Sequence, residues 1–178
     1  MTARRRFLKN AALIGAGCLL PAIGRTASAQ RAEKSLRFYH THTGEALQRV
    51  FWADGDYVPG ALAEINRLLR DHRTNEVSPI APQLMSLLER LTSLTGPNDI
   101  LHVISGYRSP QTNQTLADRS DGVSRHSLHM EGKAIDIRIP GRDLERLRNA
   151  ALSLRGGGVG FYPLSQFVHV DVGRVRAW

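Results

Sequence analysis

The sequence predicts an α+β domain. Residues 134–139 and 167–172 alternate apolar and polar side chains with period two, as strands with one buried face do. Leu84, Leu87, Leu88, Leu91 and Leu94 follow Pro82 at helical spacing. The helical and strand-like segments lack the regular β–α–β alternation that builds a parallel sheet.

The elements follow in chain order. Residues 30–35 are polar and read as a flexible lead-in. A strand is expected over 36–43 and a second over 47–52, bounded by turns at Thr43-Gly44-Glu45 and Asp54-Gly55-Asp56. Pro59 opens a helix to about Arg70, with Leu62, Ile65, Leu68 and Leu69 on its apolar face. A second helix runs from Pro82 to about Thr95 and stops at Gly96-Pro97-Asn98. Residues 100–105 read as a buried strand, 110–119 as a short helix, and Ser120-Asp121-Gly122 as a loop. After the strand at 134–139, a helix spans 143–154 with Asp143 near its start and Gly156-Gly157-Gly158 as its stop. His40 and His42 read as the polar face of the first strand.

The chain has 178 residues, enough for one domain, and its 42% hydrophobic and 22% charged content exclude low-complexity and largely disordered classes. No apolar run reaches the roughly 18–20 residues of a membrane-spanning helix, which excludes a multi-span membrane protein. The single cysteine, Cys18, excludes an internal disulfide framework. A net charge of +8 raises the possibility of nucleic-acid binding. Much of that charge sits in residues 1–29, which carry five basic residues and no acid. Arg4-Arg5-Arg6-Phe7-Leu8-Lys9, an apolar stretch from Ala11 to Ile23 and Ala27-Ser28-Ala29 read as a twin-arginine signal peptide with its cleavage site. The expected partner is the twin-arginine translocation machinery and the expected location the periplasm. Gly15 stands where a lipid-attachment motif before Cys18 requires an aliphatic residue. Without residues 1–29, 19 basic residues face 16 acidic ones, a charge of +3, and no basic cluster is interleaved with aromatics. A nucleic-acid partner is therefore not expected.

The chemistry lies in Ser127-Leu128-His129-Met130-Glu131-Gly132-Lys133-Ala134-Ile135-Asp136. His129 precedes a turn that needs Gly132, Asp136 sits on the polar face of the isoleucine strand, and His169 sits on the polar face of the last strand. Two imidazoles and one carboxylate make a catalytic zinc set with a fourth position open. The structural alternative pairs Asp136 with Arg138 or Lys133 and leaves both histidines as polar-face residues.

The block S-x-H-x-x-G-x-A-x-D, preceded by Ser105-Gly106-Tyr107-Arg108-Ser109 and followed by a strand histidine, resembles the zinc D-Ala-D-Ala peptidase family. That family shares its fold with hedgehog signalling domains and lysostaphin-type peptidases. His42-Thr43-Gly44-Glu45, Leu69-Arg70-Asp71-His72-Arg73 and the stretch 167–172 extend the likeness to its twin-arginine-exported branch. The resemblance implies one zinc peptidase domain over 36–178, with an antiparallel sheet and helices packed on one side. It implies that His129, Asp136 and His169 bind one Zn²⁺. It further implies that Arg108 contacts a substrate carboxylate or peptide carbonyl, and that the substrate is peptidoglycan. Its endopeptidases cut D-Ala–diaminopimelate or diaminopimelate–diaminopimelate cross-links. A carboxypeptidase that trims D-Ala and a zinc-stabilised wall-binding domain without turnover are the other readings.

The proton acceptor departs from the family pattern. Relatives carry an acid three residues before the last ligand, or a histidine two before it; here those positions hold Gln166 and Phe167. Asp171, on the strand face of His169, reads either as the base or as a partner that orients His169. His126 is a third choice. Tyr107 and Tyr162 read as cleft-lining residues, with Tyr162 a donor to a developing oxyanion.

Overall fold

The computed structural model describes residues 33–120 and 122–178. The signal peptide expected at 1–29 and Asp121 of the predicted loop lie outside the described residues. The described elements run β1 (Lys34–His40), β2 (Ala46–Ala53), β3 (Asp56–Tyr57), α1 (Pro59–Leu68), α2 (Pro82–Thr95), β4 (Leu101–Ser105) and α3 (Pro110–Ala117). A 3₁₀ turn (Leu128–Glu131) then precedes β5 (Ala134–Arg138), α4 (Leu144–Leu154), β6 (Gly158–Tyr162), β7 (Phe167–Asp171) and β8 (Arg176–Ala177). No helix among the described residues is long and apolar enough to cross a membrane.

The eight strands form one sheet in the order β3-β2-β1-β4-β5-β7-β6-β8. The sheet is mixed, which corrects the all-antiparallel expectation: β1 pairs with β4 and β6 with β8 in parallel. The chain between β1 and β4 carries two helices, and a parallel neighbour requires a crossover of that length. β1 begins at Lys34, two residues before the expected start of the first strand.

Each helix starts where the chain supplies a start. Proline occupies the first turn of α1, α2 and α3, where a missing N–H costs nothing. Ser109 caps α3 by accepting from the Thr112 N–H at 3.2 Å, and Asp143 caps α4 by accepting from Arg146 N–H at 2.9 Å. The predicted stop of α4 shifts by one residue: Arg155 takes the left-handed cap conformation at φ 49°, and Gly158 opens β6.

Ile135 and Ile137 of β5 and Val168 and Val170 of β7 are buried in one cluster with Phe38, Val103, Ile65, Leu84, Leu88 and Leu147. That cluster joins one face of the sheet to α1, α2 and α4. Burying a leucine or isoleucine of this kind contributes roughly 1.5–3 kcal/mol. The alternation then sends Asp136 and His169, which are register partners across β5 and β7, to the opposite face. The core thus fixes the position of both functional side chains.

Candidate metal centre

The motif residues build the centre step by step. Ser127 caps the 3₁₀ turn by accepting from His129 N–H at 3.3 Å. Gly132 ends the turn at φ 63°, with its α-carbon packed so closely on the Pro79 carbonyl that a Cβ would lie 2.1 Å from the oxygen. The chain then enters β5 with Ala134 fully buried and Asp136 facing the site. The serine, histidine, glycine, alanine and aspartate of the block therefore each have a separate role in one turn-to-strand junction.

Three ligand atoms converge. His129 Nε2 lies 3.2 Å from Asp136 Oδ1 and 3.2 Å from His169 Nδ1, and His169 Nδ1 lies 2.9 Å from Asp136 Oδ1. All three residues are buried. The outer nitrogen of each imidazole meets an acceptor: His129 Nδ1 donates to the Gly106 carbonyl at 2.7 Å, and His169 Nε2 donates to Asp171 Oδ2 at 3.1 Å. With the protons held outside, both inner nitrogens present lone pairs to a carboxylate oxygen. In that tautomer three lone pairs face one another, an arrangement that a cation between them satisfies. The edges of the triangle are close to the about 3.3–3.4 Å that tetrahedral zinc with bonds near 2.0–2.1 Å requires. The residues present therefore fit a divalent metal with a fourth position to spare.

Burial holds the His129 pKa below the ordinary histidine value. Burial alone would raise Asp136, but the imidazoles of His129 and His169 and the charge of Arg108 outweigh it and hold the carboxyl well below the usual range. Burial would likewise lower His169, yet its hydrogen bonds to Asp136 and Asp171, and the charges behind them, raise it.

The Ser105–Ser109 segment frames one side. Ser105 Oγ accepts from Arg108 Nε at 2.8 Å, and Arg108 Nη2 donates to Asp136 Oδ2. Arg108 lines the cleft, but two of its donors are already committed to the site. Tyr107, expected in the cleft, is buried away from it. Its N–H donates to the Leu69 carbonyl, its hydroxyl donates to Glu76 Oε1 at 2.8 Å, and its pKa is pushed up to about 12 by burial and by that acidic partner.

Ser109 is anchored by Asp71, whose Oδ2 accepts from its N–H at 2.9 Å and its hydroxyl at 2.7 Å. Asp71 Oδ1 accepts from Arg73 N–H at 2.9 Å. Burial opposes the charge, but the hydroxyls of Thr112 and Ser109 and these backbone donors hold the carboxyl well below its ordinary value. Such a group stabilises the fold fully above pH about 3.8–3.9, and the contribution is lost as pH falls toward the depressed folded value. Asp71→Ala is expected to cost about 2–4 kcal/mol at neutral pH. The difference from the parent in denaturant unfolding should shrink below pH 4.

Asp171 is fully buried and does not line the cleft. Besides His169 it receives the N–H groups of Gly158 at 2.9 Å and Gly173 at 2.8 Å, and Arg176 Nη2 at 2.7 Å. His126 is an exposed residue of the cleft lining, and Tyr162 and Phe167 also line the cleft, stacked at 4.6 Å. Gln166 sits at φ 56° with its amide turned to the Pro163 carbonyl, and it is not a cleft residue. His40 and His42 do not share a strand face. β1 ends at His40, which is buried, and His42 lies in the following turn, stacked on His72 at 4.1 Å. Sequence reasoning assigned no role to Asp71 or Trp178; the second lines the cleft beside His169.

The converging His-Asp-His set is one that could hold a metal ion. The chain belongs to the M15 peptidase family whose model, described as "Peptidoglycan L,D-endopeptidase MepK", matches residues 27–178; it is a metallopeptidase, a hydrolase of peptide bonds. Among its relatives, "Peptidoglycan L,D-endopeptidase MepK" of Escherichia coli (strain K12) is 39% identical over 175 residues, covering 98% of this chain and 96% of the relative. "Probable peptidoglycan L,D-endopeptidase MepK" of Haemophilus influenzae is 43% identical over 144 residues, 80% of this chain and 77% of that protein. No solved structure matches significantly.

Proposed function

We propose that the chain is a zinc-dependent murein endopeptidase, exported by the twin-arginine route to the periplasm, that hydrolyses peptide cross-links between stem peptides. The observation that carries the zinc reading is the convergence of buried His129 Nε2, His169 Nδ1 and Asp136 Oδ1, each residue held by an outer partner. The names of the relatives place their target bond between an L and a D centre. Of the two cross-links in view, the diaminopimelate–diaminopimelate bond has that stereochemistry.

A cleft of about 580 Å³ contains the centre, which gives room for a peptide on both sides of the scissile bond. His129, Asp136 and His169 would hold the metal, which when bound supplies Lewis acidity for the carbonyl and lowers the pKa of water. The chain's own groups do the rest. Arg108 fixes Asp136 through Oδ2 and leaves Oδ1 to the metal position. Asp171 fixes the tautomer of His169 and is enclosed by five donors, which makes it a positioning residue. His126 is the cleft histidine outside the ligand set and is assigned the proton exchange with the leaving amine. The Tyr162 hydroxyl accepts from Trp178 Nε1 at 2.8 Å and keeps its own proton to donate to an oxyanion.

Digestion of cross-linked sacculi tests this reading. Mass spectrometry of the products should show loss of diaminopimelate-linked dimers, and a chelator should stop it. Intact dimers after incubation with zinc-loaded protein would contradict the endopeptidase assignment.

A further inference from the structure

Trp178 is held from several sides yet left half exposed. β8 brings it alongside β6, where its N–H donates to the Val159 carbonyl at 3.2 Å and its carbonyl accepts from Phe161 N–H at 3.0 Å. Its indole N–H donates to Tyr162, and the Arg176 guanidinium lies 4.7 Å from its ring centre. The ring lies over Gly160, where any Cβ would come within 2.7 Å of it. Gly160 is the register partner of His169, so the glycine leaves space for the indole beside a metal ligand, with ring centres 5.2 Å apart. Despite these anchors Trp178 is 50% exposed, and it lines the metal cleft. An aromatic ring already fixed in place offers contact area with little rotamer entropy left to lose.

Four residues before Trp178, Arg174 also lines the cleft, and its guanidinium forms no ion pair among the described residues, whereas Arg176 is committed to Asp171. Asp136 is the one acidic side chain among the described cleft residues, and it is engaged by Arg108. The unpaired side-chain charge on this wall is therefore positive.

We propose that Trp178 and Arg174 form a substrate subsite for an acidic peptide. The indole carries the aliphatic stem of the residue flanking the scissile bond, and Arg174 takes a carboxylate of the same peptide. This subsite rests on the reading of the substrate as murein stem peptide, and it assigns Trp178 a specificity role beside its hydrogen bond to Tyr162.

The chain has two tryptophans, so Trp52→Phe leaves Trp178 as the only indole reporter. Titration of that variant with the tripeptide L-Ala-D-Glu-diaminopimelate should change Trp178 emission saturably, and adding Arg174→Ala should weaken the response about tenfold. In kinetics on a cross-linked dimer, Trp178→Ala should raise KM about 10–100-fold with kcat changed only a few-fold and bound zinc unchanged. Trp178→Phe should recover most of the loss. An unchanged KM in Trp178→Ala, or an unchanged response in Arg174→Ala, overturns the subsite. So does a fall in kcat together with zinc, which would make the indole a prop for His169. A parent protein that cleaves no murein dimer would overturn the underlying function instead. Should Trp178→Ala fail to fold, Trp178→Phe and Arg174→Ala still decide the matter.

Discussion

Asp136→Asn is expected to remove the bound metal and to lower hydrolysis of cross-linked dimers at least about 10³-fold. The substitution keeps the shape of the side chain and removes its charge. Asp136 Oδ1 stands 3.2 Å and 2.9 Å from two imidazole nitrogens that present lone pairs. An amide NH₂ in that position donates to those nitrogens and fills with hydrogen bonds the space a cation requires. The neutral amide also leaves the Arg108 guanidinium, largely sheltered from solvent, without its counter-charge. Breaking such a pair costs up to about 3–5 kcal/mol when both partners are fully buried, and somewhat less here. Metal analysis of the purified variant and its sacculus activity check both parts. A variant that keeps stoichiometric metal would show that Asp136 is not a ligand.

Asp171 separates two mechanisms. As a positioning residue, its replacement should act through His169 and the metal. Asp171→Asn is expected to weaken metal affinity about 10–100-fold, with activity largely restored by excess zinc. As a base, the same change would cost about 10²–10⁴-fold in kcat at full metal occupancy, and zinc would restore nothing. The geometry favours the first outcome. Both carboxylate oxygens already accept from Arg176, two backbone N–H groups and His169, and the residue is sealed from the cleft. Asp171→Ala is the harsher change. It strands the Arg176 charge and the N–H groups of Gly158 and Gly173, at an expected cost of about 3–5 kcal/mol in denaturant unfolding.

What was legible in the sequence was what local pattern determines. The leucine spacing after Pro82 gave α2 its residues, and alternation gave β5 and β7 and showed that Asp136, His169 and Asp171 point away from the isoleucines and valines. The motif glycine marked a turn because only a left-handed residue without Cβ fits against Pro79. Elements fixed by distant partners were not legible. β6 was hidden because its first residue closes a glycine run that also reads as a helix stop, and its pairing with β7 and β8 lies outside any local window. The two-residue strands β3 and β8 are too short to show a period. Tyr107 stands beside Arg108 in sequence, yet its hydrogen bonds to Leu69 and Glu76 turn it into the protein while Arg108 turns to Asp136. Trp178 carried no periodic signal. Its place beside the centre becomes visible only when Gly160 is seen beneath it and His169 beside it.

The most direct test is the metal content of the purified protein, measured by elemental analysis beside Asp136→Asn and a chelator-treated sample. About one zinc per folded chain, absent from the variant and removed by chelator, is the expected result. A folded parent chain that takes up no divalent metal would contradict the assignment of His129, Asp136 and His169 as its ligands.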